Sequence, residues 1–455
     1  MTDGSRPPAG PPRPYAFPSI EREVLSNGLT VLVVPMRRLP VATALLMSDA
    51  GAECDPISHA GVAALTVNAM TEGTRRHDAA ALAEAFEQLG GSLDTGNSWA
   101  HAEVSTTVLT AHLPSALGLL AEVMCEPSFP EGEIGRLREE RMAELLQQRT
   151  EPRGLADDMF ARFAFASNSR YALAEGGDER TVVGVTRDVI VAHHARFVVP
   201  TRSALIVAGD VDPATIMQQA ETAFGRWIGD AGVTPDIAVD TAHSTRQVHV
   251  VGKPDSPQSE LRVGHLSVPR THPDYHALSI MNAILGGLFN SRMNLNLRET
   301  HAYTYGAFSR FDWRRRASSF ETSTAVQSDV TAAAVREILV EIDRMRGETV
   351  RPAELSLAVD YLTGVFPIRF ETTAAIADAL VMRESYGLPA DYFDSYRDRV
   401  AAVTAADVLR VAQEHLDPSR LQVVAVGDPD LARAELEALN IGPVQQYDAS
   451  GMRTS

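Results

Sequence analysis

The sequence has 455 residues, of which 41 are Lys or Arg and 59 are Asp or Glu, so its formal net charge is −18. An acidic surplus of this size argues against a protein that binds nucleic acid or an anionic membrane through bulk charge, and we expect no nucleic-acid partner. With 45% hydrophobic and 22% charged residues, the composition is that of a globular chain of several domains rather than a disordered or fibrous one.

The sequence contains no candidate membrane span and no recognisable signal peptide. No run approaches the ~18 apolar residues that cross a bilayer, and residues 1–14 lack the charged-then-apolar layout of a leader. The only cysteines, Cys54 and Cys125, are too few for a disulfide framework. We therefore expect a cytoplasmic protein with packed thiols.

The chain opens with a Pro- and Gly-rich stretch, residues 1–18, whose composition predicts a flexible arm. The pair Asn27-Gly28 then separates two strand-like runs, which predicts a β-hairpin. Alternating patterns predict further strands at Val41–Met47 and Ala102–Leu109. Helical spacing appears at Ala60–Met70, Ala79–Leu89, Leu113–Met124 and Glu131–Gln148. This order predicts an α+β fold, a sheet with helices on one face.

The same order of elements recurs further along the chain. Matching residues stand at a constant offset of 218: Val185-Thr186, Pro200, Arg202 and Gly209-Asp210 against Val403-Thr404, Pro418, Arg420 and Gly427-Asp428. We therefore predict two homologous α/β sandwich halves with mixed or antiparallel sheets, duplicated by an internal repeat of about 218 residues. The expected boundaries are 19–228, a linker at 229–246, 247–445, and a flexible tail at 446–455.

Several strings of this sequence resemble the insulinase/pitrilysin-type (inverzincin) zinc peptidases, in particular the bacterial two-domain members related to the mitochondrial processing peptidase. The strings are Leu25–Val31, Ala50–Glu53, His59–Ala63, Glu72–Thr74, Gly90–Gly91, Gly286–Glu299 and Tyr303–Gly306. The resemblance extends from about residue 20 to residue 439. It implies a clamshell in which two such chains, or one double-length chain, enclose a peptide.

The resemblance places the family's inverted zinc signature, His-x-x-Glu-His, at residues 64–68. Two histidines at i and i+4 on one helical face bind the Zn²⁺, and the Glu activates its water. Here Ala64 and Asn68 replace the histidines and Val67 replaces the Glu, while Glu144 matches the family's distal ligand. A lone carboxylate does not hold a catalytic metal, so we expect no metal site on this chain and expect the zinc on a partner subunit.

No other histidines form a substitute site in the sequence. His272 and His276 are four residues apart, but Pro273 lies between them and the pattern contains no Glu, so we expect an ordinary helix entry and surface pair. The adjacent pair His193-His194 faces different ways on a helix. His59, near the degenerate signature, has no partner four residues away and is expected to be solvated or capping.

The resemblance implies that the second half contributes an Arg/Tyr pair, which matches Arg298 and Tyr305. A guanidinium binds a substrate carbonyl, and a phenol hydroxyl donates to the oxyanion that develops when water attacks the peptide. Outside this context, Arg298 would simply pair with Glu299, and Tyr305 would pack at a strand edge. Tyr303 is an alternative or helper, expected on the same sheet face as Tyr305 because side chains alternate with a period of two.

In the family the peptide adds as a strand to an exposed sheet edge. The matching segment is Ser92–Trp99, and its Gly96, Asn97 and Ser98 suit either a working edge or a simple turn. The basic run Arg314-Arg315-Arg316 follows Trp313 at a predicted turn between strands, where we expect it to be solvated.

Three functions are compatible with these patterns. The first is a non-zinc subunit that pairs with a zinc-bearing homologue in a heterodimer and completes its peptide-processing site with Arg298 and Tyr305. The second is a non-proteolytic scaffold resembling the core subunits of the respiratory cytochrome complex, in which both residues are relics. The third and weakest candidate is an independent hydrolase with an unrecognised metal site. A neighbouring gene for a similar-length chain with His-x-x-Glu-His would favour the first function, and its absence would favour the scaffold.

Overall fold

The computed structural model describes residues 14–454 and contains two six-stranded mixed sheets, one in each half of the chain. The strands of the first half are β1 Glu21–Val24, β2 Thr30–Pro35, β3 Val41–Ser48, β4 Asp94–Asn97, β5 Ala102–Leu109 and β6 Ser203–Gly209. Its helices are α1 Val62–Met70, α2 Ala79–Gln88, α3 Leu113–Cys125, α4 Glu131–Thr150, α5 Pro152–Ala164, α6 Glu179–Val182, α7 Arg187–Phe197 and α8 Pro213–Phe224.

The second half repeats this arrangement. Its strands are β7 Gln247–Gly252, β8 Gln258–Ser267, β9 Ala307–Asp312, β10 Ser318–Gln327, β11 Gln422–Gly427 and β12 Val444–Tyr447. Its α-helices are α9 Tyr275–Asn282, α10 Thr331–Gly347, α11 Pro352–Val365, α12 Thr373–Tyr386, α13 Tyr392–Ala401, α14 Ala405–His415 and α15 Pro429–Ala438. Two π-helical segments, Ala283–Gly287 and Asn294–Thr300, precede β9.

The first sheet has the strand order β1-β2-β6-β3-β5-β4, with β2 and β6 parallel and the other neighbours antiparallel. The predicted hairpin is confirmed, since β1 and β2 pair across Asn27-Gly28. Gly28 has φ +92°, a left-handed conformation that glycine adopts without steric cost. The predicted strands and helices of this half all form, with ends within two residues of the predicted ones.

The second sheet has the order β12-β7-β11-β8-β10-β9, which matches the first strand for strand. The difference is at one edge, where β12 is parallel to β7 but β1 is antiparallel to β2. The predicted duplication is confirmed in detail, because Thr186 and Thr404 cap equivalent helices, α7 and α14, through their side chains. The α+β class with two homologous halves is therefore correct.

One helix from each half packs on the open face of the other half's sheet. Helix α5 of the first half packs on β8 and β11, and α12 of the second half packs on β3 and β6. The fit under α5 is close: a side chain at Gly264 of β8 would meet the Phe160 ring at 2.8 Å. This exchange buries the central strands on both faces, so β6 has no exposed residue.

A turn of the second half inserts into the first half at the centre of the molecule. Between β9 and β10, the Arg315 guanidinium forms an ion pair with Asp49 of the first half and lies 3.8 Å from the Glu53 carboxylate. Arg202 of the first half holds the same Asp49 at 2.9 Å. Asp49 is thus shared by one cation from each half.

The neighbouring arginines of this turn are also engaged. Arg314 is 6% exposed, and its guanidinium lies 4.1 Å from the Trp99 ring centroid and 4.7 Å from that of Tyr171. Arg316 pairs with Asp236 at 2.8 Å. The turn itself is confirmed and Arg316 is exposed as expected, but the expectation of a solvated run is wrong for Arg314 and Arg315, because acidic and aromatic groups of the first half surround them.

The two ends of the chain pack against the folded halves where the structure describes them. Residues 1–13 of the predicted arm lie outside the described residues, whereas Phe17 stacks on Phe393 of the second half with ring centroids 4.2 Å apart. The expectation of a flexible tail is wrong for residues 446–454. They complete β12 and form a turn in which Arg162 of α5 donates to the Ser450 carbonyl at 2.9 Å.

The predicted linker, residues 229–246, is irregular along most of its length, although it buries Ile237. Among residues 14–454, no helix is both long enough and apolar enough to span a bilayer.

We expect Arg315→Ala to lower the free energy of unfolding by about 3 kcal/mol, because it leaves the buried Glu53 carboxylate without its nearby cation and Asp49 with Arg202 alone. The matched control is Arg316→Ala, whose partner Asp236 is 94% exposed, so its cost should stay below about 1 kcal/mol. Thermal and urea unfolding of both variants measure the difference. Equal costs would contradict a central role for the Arg315 ion pairs.

Stability should also fall in mild acid. Burial lowers the pKa of both His193 and His194 to about 4, and each imidazole faces a backbone carbonyl. A folded-state pKa below the ordinary 6.5 stabilises the protein above pH 6.5, and this contribution is lost as the pH falls towards 4. The resulting loss of unfolding free energy is roughly 3 kcal/mol per histidine. Urea unfolding at pH 7 and pH 4.5 should show a smaller drop for His194→Gln than for the native chain.

Candidate functional site

Helix α1 carries the residues that replace the zinc signature. Ala64 and Asn68 lie four residues apart on one face, with Ala64 half-buried and Asn68 exposed, whereas Val67 is buried. The helix begins after Gly61, which has φ +96° and approaches the Gly176 carbonyl so closely that a side chain would meet it at 2.5 Å. The position and exposure of the face therefore suit ligand binding, but its residues do not.

The N-terminus of α1 is fixed by a buried carboxylate. Asp55 accepts hydrogen bonds from the backbone N–H groups of Gly61 at 2.7 Å and Ala63 at 3.0 Å. Arg170 binds the same carboxylate at 3.0 Å, and both side chains are almost fully buried. Burial raises the pKa of Asp55 to about 6, and the Arg170 charge opposes this shift. The helix is held in place by protein contacts.

These residues do not fit a catalytic zinc ion. Alanine and valine provide no ligand atom, and the Asn68 amide is a poor zinc ligand beside the imidazole and thiolate groups that zinc prefers. Glu144 lies on α4, which packs against α1, but its side chain is 64% exposed and pairs with Arg141 at 3.1 Å. One exposed carboxylate does not complete a site, so no step of the chemistry can be assigned to a metal at α1.

The segment predicted to bind peptide lies at the edge of the first sheet. Gly96 and Asn97 end β4, the terminal strand of that sheet, and Ser98 begins the tight turn to β5. The Asn97 amide donates to Glu175 at 3.0 Å, and the Ser98 hydroxyl lies 2.9 Å from the His101 ring. The segment is thus an edge strand followed by a turn, and peptide binding at this edge stays a prediction. The Asn97 and Ser98 side chains are engaged within the protein.

Arg298 lies in the second π-helical segment and points along the surface. Its guanidinium lies 4.3 Å from the Phe289 ring centroid and 3.3 Å from the Glu299 carboxylate, and its side chain is 31% exposed. An exposed ion pair of this kind contributes less than about 1 kcal/mol. Arg298 can therefore exchange Glu299 for another acceptor at little cost.

Tyr305 is one of the most exposed aromatic residues, with 95% of its surface accessible. It lies in a bend before β9, and the bend is fixed because the Thr304 hydroxyl accepts from the Gly306 N–H at 3.1 Å and bonds Thr324 at 2.9 Å. The Tyr305 hydroxyl forms no hydrogen bond with another described residue. The backbone is anchored while the phenol projects away from the chain.

The expected alternation of Tyr303 and Tyr305 on one sheet face is wrong. Both precede β9, because Ala302 adopts a left-handed conformation with φ +53° and closes the π-helical segment. Tyr303 is half-buried and stacks on His301, with ring centroids 5.0 Å apart. It supports the segment, while Tyr305 faces outward.

Arg298 and Tyr305 lie in the second half, and the α1 face and β4 edge lie in the first. The contacts of Arg298 stay within its own segment. Tyr305 lines a cavity in which only one wall residue, Arg153 of α5, belongs to the first half. The structure therefore forms two separate surfaces within one chain and does not join them into a single site.

Sequence reasoning missed the buried network that supports α1. Arg170 and Tyr171 reach Asp55 and Glu53 across more than a hundred positions. A local spacing pattern cannot reveal partners so far apart in the sequence. The available signal was that Glu53, Asp55 and Arg170 stand beside apolar residues, which is compatible with burial.

It also mispaired His272. In the structure His276 contacts Tyr396, whereas His272 forms a group with Asp274 and His415 whose ligand atoms lie within 4.8 Å of one another. Among the residues described, no other set of three meets that criterion. Arg410 binds both oxygens of Asp274, at 2.6 and 3.1 Å, so the carboxylate already has a cation. This group links α9 to α14.

Two family models match the chain. The model for insulinase (peptidase family M16) matches residues 32–173, and the model for the peptidase M16 inactive domain matches residues 184–362. The first match includes α1 and β4, and the second includes Arg298 and Tyr305. Together they extend over most of both halves.

Several relatives match nearly the whole chain at low identity. An uncharacterized zinc protease of Streptomyces coelicolor is 22% identical and covers 88% of each chain. The probable mitochondrial-processing peptidase subunit beta of Arabidopsis thaliana is 22% identical, over 90% of this chain and 78% of that protein. A Helicobacter pylori protein named as a non-peptidase homolog is 20% identical, over 90% of this chain and 94% of that protein.

Solved structures share the fold. A crystal structure described as a peptidase M16 inactive domain from Pseudomonas fluorescens superposes with a TM-score of 0.84 at 25% identity, over 90% of this chain and 98% of that one. The crystal structure of a protease from Helicobacter pylori gives a TM-score of 0.85 at 19% identity, over 90% of this chain and 100% of that one. The relatives thus include proteins named as peptidases and proteins named as inactive.

We expect the native chain to bind no stoichiometric zinc and the double variant Ala64→His/Asn68→His to bind about one ion. The two imidazoles would stand at i and i+4 on an accessible face, with Glu144 on the adjacent helix. Metal analysis after dialysis measures the ratio. The single variant Asn68→His is the control and should stay near zero. Stoichiometric zinc on the native chain would contradict the absence of a metal site at α1.

Proposed function

The chain belongs to the M16 (insulinase) peptidase family, and from that premise we propose that it is the non-zinc subunit of a heterodimeric metallopeptidase. In this proposal it pairs with a homologous subunit that holds the zinc ion, and it contributes Arg298 and Tyr305 to peptide cleavage. The observation that carries the proposal is a contrast between the halves. The α1 face has lost the ligand atoms, whereas the Tyr305 phenol is anchored and almost fully exposed.

The exposure of Tyr305 supports a role outside its own chain. An exposed tyrosine with a rigid backbone pays little entropy when its hydroxyl donates to an acceptor on another molecule. The acceptor that needs such a donor during peptide hydrolysis is the oxyanion of the tetrahedral intermediate. In the proposed complex that intermediate forms on the partner, and Tyr305 stabilises it from across the interface.

Arg298 is proposed to bind a carbonyl of the substrate. Its ion pair with Glu299 is surface-exposed and its stack on Phe289 leaves the guanidinium edge accessible. Guanidinium groups donate several hydrogen bonds in a fixed plane, which suits a peptide carbonyl beside the scissile bond. Binding the carbonyl would replace the exposed contact with Glu299.

The β4 edge is proposed to hold the peptide backbone. Gly96, Asn97 and Ser98 stand at the open edge of the first sheet, and in the second half Tyr303 stacks on His301 next to the Arg298 segment. Main-chain pairing at a sheet edge gives affinity with little sequence preference. This fits a subunit that presents a peptide to another subunit's metal.

A scaffold is the second candidate, and one observation favours it. Arg298 already has both an ionic and an aromatic partner in the isolated chain, as a residue without a catalytic role would. A scaffold would assemble with the same partner but would not change its turnover.

Co-expression with a zinc-bearing homologue from the same organism separates the two candidates. We expect the complex, but not this chain alone, to cleave peptides, and Tyr305→Phe to lower kcat about 100-fold because one oxyanion donor is removed. Tyr361→Phe is the matched control, since Tyr361 is also exposed, at 46%, but lies on α11. Size-exclusion chromatography checks assembly. Full activity of Tyr305→Phe in an intact complex, or cleavage by the isolated chain, would refute the proposal.

A further inference from the structure

Beside Tyr305 the structure contains a cavity of about 310 Å³ that no step of the proposed chemistry uses. Its floor is the open face of the second sheet at β8 and β10, where α5 does not cover it. Gln258 and Ser323 line the floor, Tyr305 and Phe308 form one side, and Arg153 from the start of α5 forms the other. The cavity is thus built from both halves of the chain.

The charges around this cavity are paired, with one exception. Arg262 binds Asp157 at 2.7 Å and Glu260 at 2.9 Å, and the Glu321 carboxylate lies 3.5 Å from Arg310. The guanidinium of Arg153 makes no hydrogen bond, ion pair or ring contact with any residue between 14 and 454. Arg153 therefore brings to the cavity five N–H donors that have no partner among the described residues, while the nearby carboxylates of Asp157, Glu260 and Glu321 are already bound by Arg262 and Arg310.

The remaining wall groups complement a carboxylate attached to an apolar group. The Tyr305 hydroxyl, the Gln258 amide and the Ser323 hydroxyl are hydrogen-bond donors, and Phe308, which is 54% exposed, provides an apolar surface. Guanidinium groups bind carboxylates with two parallel hydrogen bonds. A volume of this size suits one or two amino-acid residues and not a whole folded partner.

We propose that Arg153, together with Tyr305, forms a subsite for a carboxylate of the peptide, either its C-terminus or an acidic side chain. The inference rests on the proposed function for the peptide nature of the ligand, and it adds a specificity group from the first half. A peptide that reaches Tyr305 would place a nearby carboxylate against Arg153. The chain would accordingly prefer peptides with a negative charge at that point.

Fluorescence anisotropy with the full-length chain alone tests the subsite. The probes are a labelled peptide ending in leucine with a free C-terminal carboxylate, the same peptide amidated, and amidated peptides containing Asp or Asn. We expect the free acid, the Asp peptide, or both to bind more tightly than the amidated neutral peptides. The free acid identifies a C-terminal carboxylate, and the amidated Asp peptide identifies a side-chain carboxylate.

The variants assign this preference to Arg153. Arg153→Gln should weaken the Kd of the preferred peptide about 10- to 100-fold, because a charge-assisted hydrogen bond is lost, and Arg153→Lys should lie between. Arg75→Gln is the matched control: it removes the same charge from an exposed arginine far from the cavity. Unchanged thermal unfolding of each variant confirms folding.

Two results would overturn the subsite: equal binding of charged and neutral peptides, or equal effects of Arg153→Gln and Arg75→Gln. Because the zinc-bearing partner is absent from this assay, its result is independent of the Tyr305 experiment. If Tyr305→Phe keeps full activity in the complex while the anisotropy assay still shows carboxylate binding, the catalytic role of Tyr305 is refuted and the subsite is not.

Discussion

The contact between Arg315 and Asp49 joins the two halves of this molecule at its centre. Asp49 ends the strand that leads to α1, and Arg315 lies in the turn between β9 and β10. Arg202 binds the same carboxylate from within the first half. Because two cations share one acid, neither half can shift without leaving a charge unpaired in a poorly solvated place. The packing of α5 and α12 on the opposite sheets joins the same two halves.

Buried contacts within the first half also hold helix α1 in place, although its exposed face carries no zinc ligands. Asp55 and Arg170 hold the N-terminus of α1 through buried hydrogen bonds, and Glu53 receives the hydroxyl of Tyr171. In a zinc enzyme the ion itself would help to fix this helix. Here the protein contacts suffice, so the ligand positions could be lost while the helix and the β4 edge beside it stay in place. The second half meanwhile keeps the exposed Tyr305 on an anchored bend.

Much of the fold followed from local pattern, and the failures have physical causes. The hairpin at Asn27-Gly28 and the strands and helices of the first half depend on spacing and turn chemistry within a few residues. The expectation of a solvated run failed for Arg314 and Arg315 because the Trp99 ring and the Asp49 carboxylate that contact them lie more than 200 positions away in the sequence. The tail at 446–454 was misjudged because β7 pairs with it from the far end of its half. Tyr303 was misplaced because a left-handed Ala302 delays the strand.

The sequence by itself determined the class of fold, the duplication and the loss of zinc ligands at residues 64–68, since side-chain chemistry and periodicity are local properties. Only the tertiary structure decided which charges are paired, that Tyr305 is exposed while Tyr303 is stacked, and that Arg153 of one half faces a cavity of the other. These depend on segments that meet after folding, and the free energy of a buried or exposed charge is set by the neighbours that folding brings to it.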